Sequence, residues 1–178
     1  MTRAVLSIGS NLGDRLAHLR SVLDGFGHRV LSVSAVYSTA PWGGVPQEDY
    51  LNAAVLVDDP VFGCADWLRR GQELEQAAGR VRDVRWGART LDVDVVWCAE
   101  LHNGEPVACR STDPDLILPH PQAHRRAFVL VPWLDVVPDA VLEVDGTAYS
   151  VTDLLERLDP AERAGVRRTD FSLTGTAS

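Results

Sequence analysis

Apolar and polar positions along the chain switch between two periods, and the switches lay out the elements. Residues 3–9 (RAVLSIG) are a short β-rich run that ends at Gly9. Ser10 or Asn11 can then cap a helix whose Leu12, Leu16, Leu19, Leu23 and Phe26 form one stripe at helical spacing. Residues 29–38 (RVLSVSAVYS) alternate as one half-buried strand and 51–58 (LNAAVLVD) form another, separated by the Gly/Pro-rich stretch TAPWGGVPQEDY. Loops of that length inside compact domains usually carry function, and Trp42 and Tyr50 within this one point the same way. A second helix is predicted from about Cys64 to Ala78, with Trp67, Leu68 and Leu74 toward the core and Gly79 at its C-terminal cap. An arginine-rich loop and the strand TLDVDVVW follow.

Strand, helix, strand, strand, helix, strand is the split βαβ order of a ferredoxin-like α+β sandwich, a four-stranded antiparallel sheet with helices on one face. Additional elements extend it. Residues 99–115 read as an irregular excursion and 127–136 as a short apolar helix or strand; 141–151 read as a hairpin turning at Asp145-Gly146, with a short helix near 153–158. The expectation is one domain over residues 1–168, with 169–178 as a disordered tail and no internal repeat.

The strand that follows the arginine-rich loop breaks its own pattern. Alternation puts Thr90, Asp92, Asp94 and Val96 on one face and Leu91, Val93, Val95 and Trp97 on the other. The two carboxylates then point the same way, about 7 Å apart at their Cα atoms. Burying such a pair is costly without compensation, and a hard divalent cation such as Mg²⁺ accepts one or two carboxylates together with substrate phosphates. An edge strand with its polar face in water would need no ligand.

Charge sharpens that choice. The net charge of −8 disfavours a general nucleic-acid or anionic-membrane binder, and no apolar stretch approaches the roughly 20 residues that span a bilayer. The opening residues lack a signal-peptide pattern, so a cytoplasmic location is expected. All 17 basic residues are arginine, and Arg69, Arg70, Arg80, Arg82, Arg85 and Arg89 crowd into one short segment. Guanidinium forks bind phosphate oxygens bidentately, so a local anion site is expected there, although a solvated helix face also suits Arg69 and Arg70. The three cysteines, Cys64, Cys98 and Cys109, are odd in number and lack C-x-x-C spacing, which argues against a disulfide framework and a structural zinc site and for small apolar fillers.

The run LPHPQAHRRAF, residues 118–128, holds His120, His124, Arg125 and Arg126. Its His-x-x-x-His spacing lacks a third ligand or an intervening Glu for zinc, leaving a phosphate-contacting set or an exposed polar turn. No Walker A motif, G-x-G-x-x-G or nucleophile elbow is present.

Taken together, IGSNLGDR (8–15), YSTAPWG (37–43), DYLNAAV (49–55), ELEQAAGRVRDVRWGARTLDVDVV (73–96) and LPHPQAHRRAFVLVPW (118–133) resemble the 6-hydroxymethyl-7,8-dihydropterin pyrophosphokinase family in order and spacing. The resemblance implies a ferredoxin-like fold and transfer of the β,γ-pyrophosphoryl group of ATP to a pterin hydroxymethyl group, releasing AMP. It implies two Mg²⁺ ions on Asp92 and Asp94. Gln72, Glu75, Arg80, Arg82, Trp86, Arg89, Val95, His120 and Arg126 would line the ATP site, with Arg80 and Arg82 acting catalytically from a mobile loop. Thr39, Ala40, Trp42, Asn52 and Trp86 would take the pterin, with Tyr50 and Phe128 sandwiching its ring. ATP and the pterin would be the partners of a monomer that binds neither nucleic acid nor membrane. The chain departs from the family pattern at Ala88, where proline is usual, at Asp115 and Ile117, where some members present Arg and Thr, and at Pro121, where an aromatic is common. Its loop between Arg82 and Trp86 is also one residue shorter. The rival readings are another two-metal nucleotidyl or phosphoryl transferase and a non-catalytic ferredoxin-like RNA-binding module.

Overall fold

The structure, a computed structural model, describes residues 1–41, 46–79 and 90–175. Its centre is β1 (Thr2–Ser10), which pairs antiparallel with β4 (Tyr50–Asp59) on one side and β5 (Asp92–His102) on the other. Two short strands, β2 (Val30–Val33) and β3 (Tyr37–Thr39), both pair with β4. The single strand expected over 29–38 is therefore broken, and Ser34 sits at the break with its N–H donating to the Ala54 carbonyl and its hydroxyl accepting from the Ala54 N–H. Strand β6 (Glu105–Ala108) extends the sheet beyond β5, and β11 (Arg167–Arg168) extends it beyond β3.

Residues 99–115, expected as irregular, are the end of β5, the β6 hairpin and β7 (Ser111–Asp113), the first strand of a second small ladder completed by β8 (Leu116–Leu118). The turn after β5 is Asn103-Gly104, both at positive φ, the pair that tight hairpins favour. Asp145-Gly146 does the same between β9 (Val141–Val144) and β10 (Thr147–Ser150), as the sequence led us to expect.

Helices cover both faces of the sheet, not one. On the first face α1 (Arg15–Phe26) and α2 (Cys64–Ala77) pack Leu19, Phe26, Trp67 and Leu74 onto Leu6, Ile8 and Val93. On the second, α3 (Ala127–Val136) and α4 (Val151–Glu156) pack Leu130, Trp133 and Leu154 onto Val5, Ala54 and Val96. A short α5 (Pro160–Ala164) follows. Burial on both sides explains why β1 and β4 read as nearly continuous apolar runs. No described helix is long and apolar enough to cross a membrane.

Several local expectations are corrected. The first helix is capped not by Ser10 or Asn11 but by Asp14, whose carboxylate accepts from the Ala17 N–H at 3.1 Å; Gly13 at φ 70° keeps the preceding residues out of the helix. In β5 the register slips, with Val5 opposite Trp97 and Leu6 opposite Val95, so Val96 is the extra residue of a bulge. Trp97 consequently packs with Val96 in the α3 layer instead of joining Val93 and Val95. Cys64 and Cys98 form a disulfide, and Cys109 lies beside them with its thiol pushed up by burial and by the Glu100 charge. Residues 169–175, expected to lack structure, lie against the body: the Thr169 N–H and hydroxyl both donate to the Val36 carbonyl, and Leu173 is buried. Residues 176–178 lie outside the described residues.

Tyr37 fastens β3 to α3. Its buried hydroxyl donates to Asp135 at 2.7 Å, and the same carboxylate oxygen accepts from the Ala35 N–H at 3.1 Å. Burial, then the hydrogen bond and charge of Asp135, push the Tyr37 hydroxyl up to about 12. In the unfolded chain it ionises near pH 10. The unfolded state therefore loses its proton first, so this contribution to stability is complete below about pH 10 and is lost between about 10 and 12. Tyr37→Phe is expected to cost about 1–2 kcal/mol at neutral pH and to flatten the alkaline loss. Urea unfolding at pH 8 and pH 11 checks this; equal alkaline losses in the variant and the parent chain would contradict it.

Candidate active site

At one end of the sheet three central strands present a matched row. Asn52 of β4 stands opposite Gly9 of β1, and Gly9 stands opposite Asp92 of β5. Two residues along, Ala54, Ser7 and Asp94 form the next row. Alternation puts both rows on the α3 face, where Ala54 joins the α3 core. Tyr50, two residues before Asn52, shares that face. Asp92 and Asp94 are thus neighbours on one surface, as their spacing predicts, and both are half-buried.

The start of α3 overhangs these rows without filling them. Arg126 caps the helix and Phe128 lies in its first turn, with the Arg126 guanidinium 5.7 Å from the Phe128 ring centre. Because Ser7 and Gly9 are small, a cavity of about 560 Å³ remains above the strands. Thr39, Ala40, Tyr50, Asn52, Asp92, Asp94, Arg126 and Phe128, all predicted site residues, line it together. The Asn52 amide donates to the Thr39 hydroxyl at 2.6 Å, and both residues are buried. Gly9 is required by space: a Cβ there would stand 3.0 Å from Asn52 Oδ1 and 3.6 Å from the Tyr50 ring.

His120 sits beside the cavity rather than in its lining. Its N–H donates to the Val96 carbonyl, and its Nδ1 accepts from the Gln122 N–H at 3.2 Å. Burial and, secondarily, the Arg126 charge hold its pKa below the ordinary value, against the opposing pull of Asp92. The ring is therefore neutral at pH 7, and with Nδ1 accepting, the proton belongs on Nε2, an available donor.

Other predicted residues are not brought into this cavity. Val95 is buried in the opposite, α1/α2 layer; Gln72 is exposed on α2, and Glu75 is buried there. Trp42, Arg80, Arg82, Trp86 and Arg89 lie outside the described residues. The lining also includes Ser7, Gly9, Gln47, Gln122 and Arg125, which were not assigned from sequence. Arg125 belongs to the His/Arg run that signalled a phosphate contact. The IGSNLGDR run marks Gly9 and adds the residues that fasten the loop at 46–49: the Asn11 amide donates to Gln47 Oε1 at 2.8 Å, and Arg15 donates to the Asp49 carbonyl at 2.9 Å.

The donor set suits a hard cation. Two carboxylates on one strand face open into the same cavity as two guanidinium groups, so a cation and an anion can be held side by side. Among the described residues the other grouping of potential ligands is the three cysteines, whose soft sulfurs do not suit Mg²⁺.

A family model for 7,8-dihydro-6-hydroxymethylpterin-pyrophosphokinase matches residues 5–138. The chain is 53% identical over 176 residues to the 2-amino-4-hydroxy-6-hydroxymethyldihydropteridine pyrophosphokinase of Mycobacterium tuberculosis, covering 97% of this chain and 94% of that protein. It is 55% identical over 178 residues to the Mycobacterium leprae protein of the same name, covering 97% and 92%, and 38% identical over 174 residues to the one from Methylorubrum extorquens, covering 96% and 100%. Among solved structures, an HPPK-DHPS in complex with substrates superposes with a TM-score of 0.61 at 11% identity, over 87% of this chain and 43% of the other. Plasmodium falciparum HPPK-DHPS gives 0.61 at 12%, over 88% and 45%. This chain therefore spans less than half of those longer proteins, and the likeness to them is one of fold.

Proposed function

The chain belongs to the 7,8-dihydro-6-hydroxymethylpterin-pyrophosphokinase family, and on that footing we propose that the cavity over β1, β4 and β5 is where its two substrates meet. The enzyme transfers pyrophosphate from ATP to the hydroxymethyl group of 6-hydroxymethyl-7,8-dihydropterin in folate biosynthesis. The observation that carries the site assignment is the row Asn52–Gly9–Asp92, which sets an amide for a heterocycle edge and a carboxylate for a phosphate-bound cation in one register. We assign the core to the ferredoxin-like class, supported by the antiparallel strand order β3-β4-β1-β5 with α1 and α2 as the crossing helices.

In this reading Tyr50 and Phe128 flank the flat pterin ring, and Asn52, held by Thr39, reads its edge. Asp92 and Asp94 would hold two Mg²⁺ ions, which would neutralise the triphosphate charge and ease loss of the hydroxymethyl proton. Arg125 and Arg126 face the anionic oxygens, and neutral His120 offers its Nε2 proton to a phosphate oxygen. Roles for Arg80, Arg82, Trp86, Arg89 and Trp42 rest on the family resemblance alone, as does the assignment of Gln72, Glu75 and Val95 to the nucleotide. The hydroxymethyl oxygen attacks the β-phosphorus and gives up its proton to water, while the bond from that phosphorus to the bridging α-phosphate oxygen breaks and AMP leaves with that oxygen. We place the chain in the cytoplasm, acting as a monomer.

ATP and the pterin, incubated with enzyme and Mg²⁺, should give AMP and pterin diphosphate in equal amounts. Formation of ADP, or AMP release without pterin dependence, would overturn the assignment. Gly9→Ala tests the row directly. Its added methyl crowds the Asn52 side chain, which must shift by a few tenths of an ångström, a cost of about 1–2 kcal/mol in pterin binding, so the pterin KM is expected to rise roughly tenfold with the ATP KM unchanged. Steady-state kinetics with each substrate varied would show this; an unchanged pterin KM would contradict it.

A further inference from the structure

At the end of β5 remote from the aspartates, three sulfurs converge from three separate segments. Cys64 opens α2, Cys98 is wholly buried on β5, and Cys109 follows β6 with its N–H bonded to the Cys98 carbonyl at 2.8 Å. Their Sγ atoms all lie within 4.8 Å of one another. The turn that presents Cys64 is itself fixed, because the Gly63 N–H donates to the Asp66 carboxylate at 2.8 Å. All three cysteines belong to the hydrophobic core on the α1/α2 side, so the surroundings favour soft ligands over hydrated ones.

Cys64 and Cys98 are bridged in the structure, and a bridge uses two sulfurs. The third has no part in it, yet its Sγ lies within 4.8 Å of both. Thiolates bound at about 2.3 Å to one zinc or copper(I) ion stand about 4 Å apart, a separation these three side chains span with little movement once the bridge is opened. We propose that, when reduced by a dithiol, Cys64, Cys98 and Cys109 form a trithiolate site for one thiophilic d¹⁰ cation, Zn²⁺ or Cu⁺, about 20 Å along β5 from Asp92. The dithiol supplies two electrons and two protons, becoming a disulfide as Cys64 and Cys98 become thiols. Cation binding then forms three metal–sulfur bonds and releases the thiol protons to solvent. The oxidised chain carries the bridge and the reduced chain carries the ion, so the two states exclude each other.

The full chain, reduced and kept free of oxygen, is titrated with Cd²⁺ as a chromophoric substitute for Zn²⁺ and, separately, with Cu⁺. A thiolate-to-metal charge-transfer absorption is expected to saturate at one ion per chain in at least one arm, with all three thiols then protected from alkylation. The arm that responds identifies the cation. An ion held by Asp92 and Asp94 gives no such absorption, so the carboxylate pair cannot imitate the result. Cys109→Ser leaves the bridging pair intact and should weaken binding at least about a hundredfold. Absence of the absorption in both arms, or an unchanged midpoint in Cys109→Ser, would overturn the proposal.

Discussion

Asp94→Ala is expected to lower kcat by at least about a thousandfold, and Asp92→Ala by a similar factor, with little change in pterin affinity. Each substitution removes a negative charge that, in the proposed site, holds a cation against the triphosphate, and electrostatic stabilisation of this kind is commonly worth several kcal/mol at the transition state. The pterin affinity should survive because Asn52, Tyr50 and Phe128 stand on β4 and α3, not on β5. Both aspartates are half-buried on a strand paired from end to end with β1, so the fold tolerates their loss. Single-turnover rates together with pterin binding in the absence of nucleotide separate the two effects. Near-normal turnover in either variant would remove the two-carboxylate account.

The second large effect is expected at Asn52. Asn52→Ala removes the amide proposed to read the heterocycle and strands the Thr39 hydroxyl in a buried place. A polar group left unmatched in such a site costs about 1–3 kcal/mol, and loss of the hydrogen bonds to the substrate adds to it. Pterin affinity should fall roughly a hundredfold or more, while affinity for an unhydrolysable ATP analogue stays within about twofold. Calorimetric titration with each ligand checks this. Equal losses for both ligands would show a general collapse of the cavity rather than a lost recognition contact.

Much of the architecture was legible because long apolar periods translate directly into elements. Of the stripe Leu12, Leu16, Leu19, Leu23 and Phe26 all but Leu12, which precedes the helix and is exposed, lie on α1, and the alternation through Asp92 and Asp94 put both carboxylates on one face. What was hidden depends on contacts distant in sequence. Nothing near Cys64 marks its proximity to Cys98, 34 residues away, because pairing follows from where α2 meets β5. The bulge at Val96 is set by the register of β5 on β1, so strict alternation misplaces Trp97. The Asn103-Gly104 hairpin, by contrast, is marked by its two turn residues, although the polar residues around them carry no clear strand alternation.

The site shows the same division. Residue types carried the carboxylate pair and the His/Arg run, whereas Tyr50 and Phe128 look like ordinary core aromatics until the fold brings them to one cavity. Gly9 is the reverse case. It reads as the end of a strand, and its role follows from the 3.0 Å that a side chain would leave to Asn52. Val95, assigned to the nucleotide by resemblance, packs into the α1/α2 layer, so any influence on ATP passes through that side of β5 rather than through the cavity.

The central claim is that Asp92 and Asp94 carry the metal-bound triphosphate. Counting Mn²⁺ by electron paramagnetic resonance, with an unhydrolysable ATP analogue and the pterin present, tests it most directly. The account predicts two ions per chain in the native enzyme and loss of both in the chain carrying Asp92→Ala and Asp94→Ala together. Two ions retained by that double variant would contradict it.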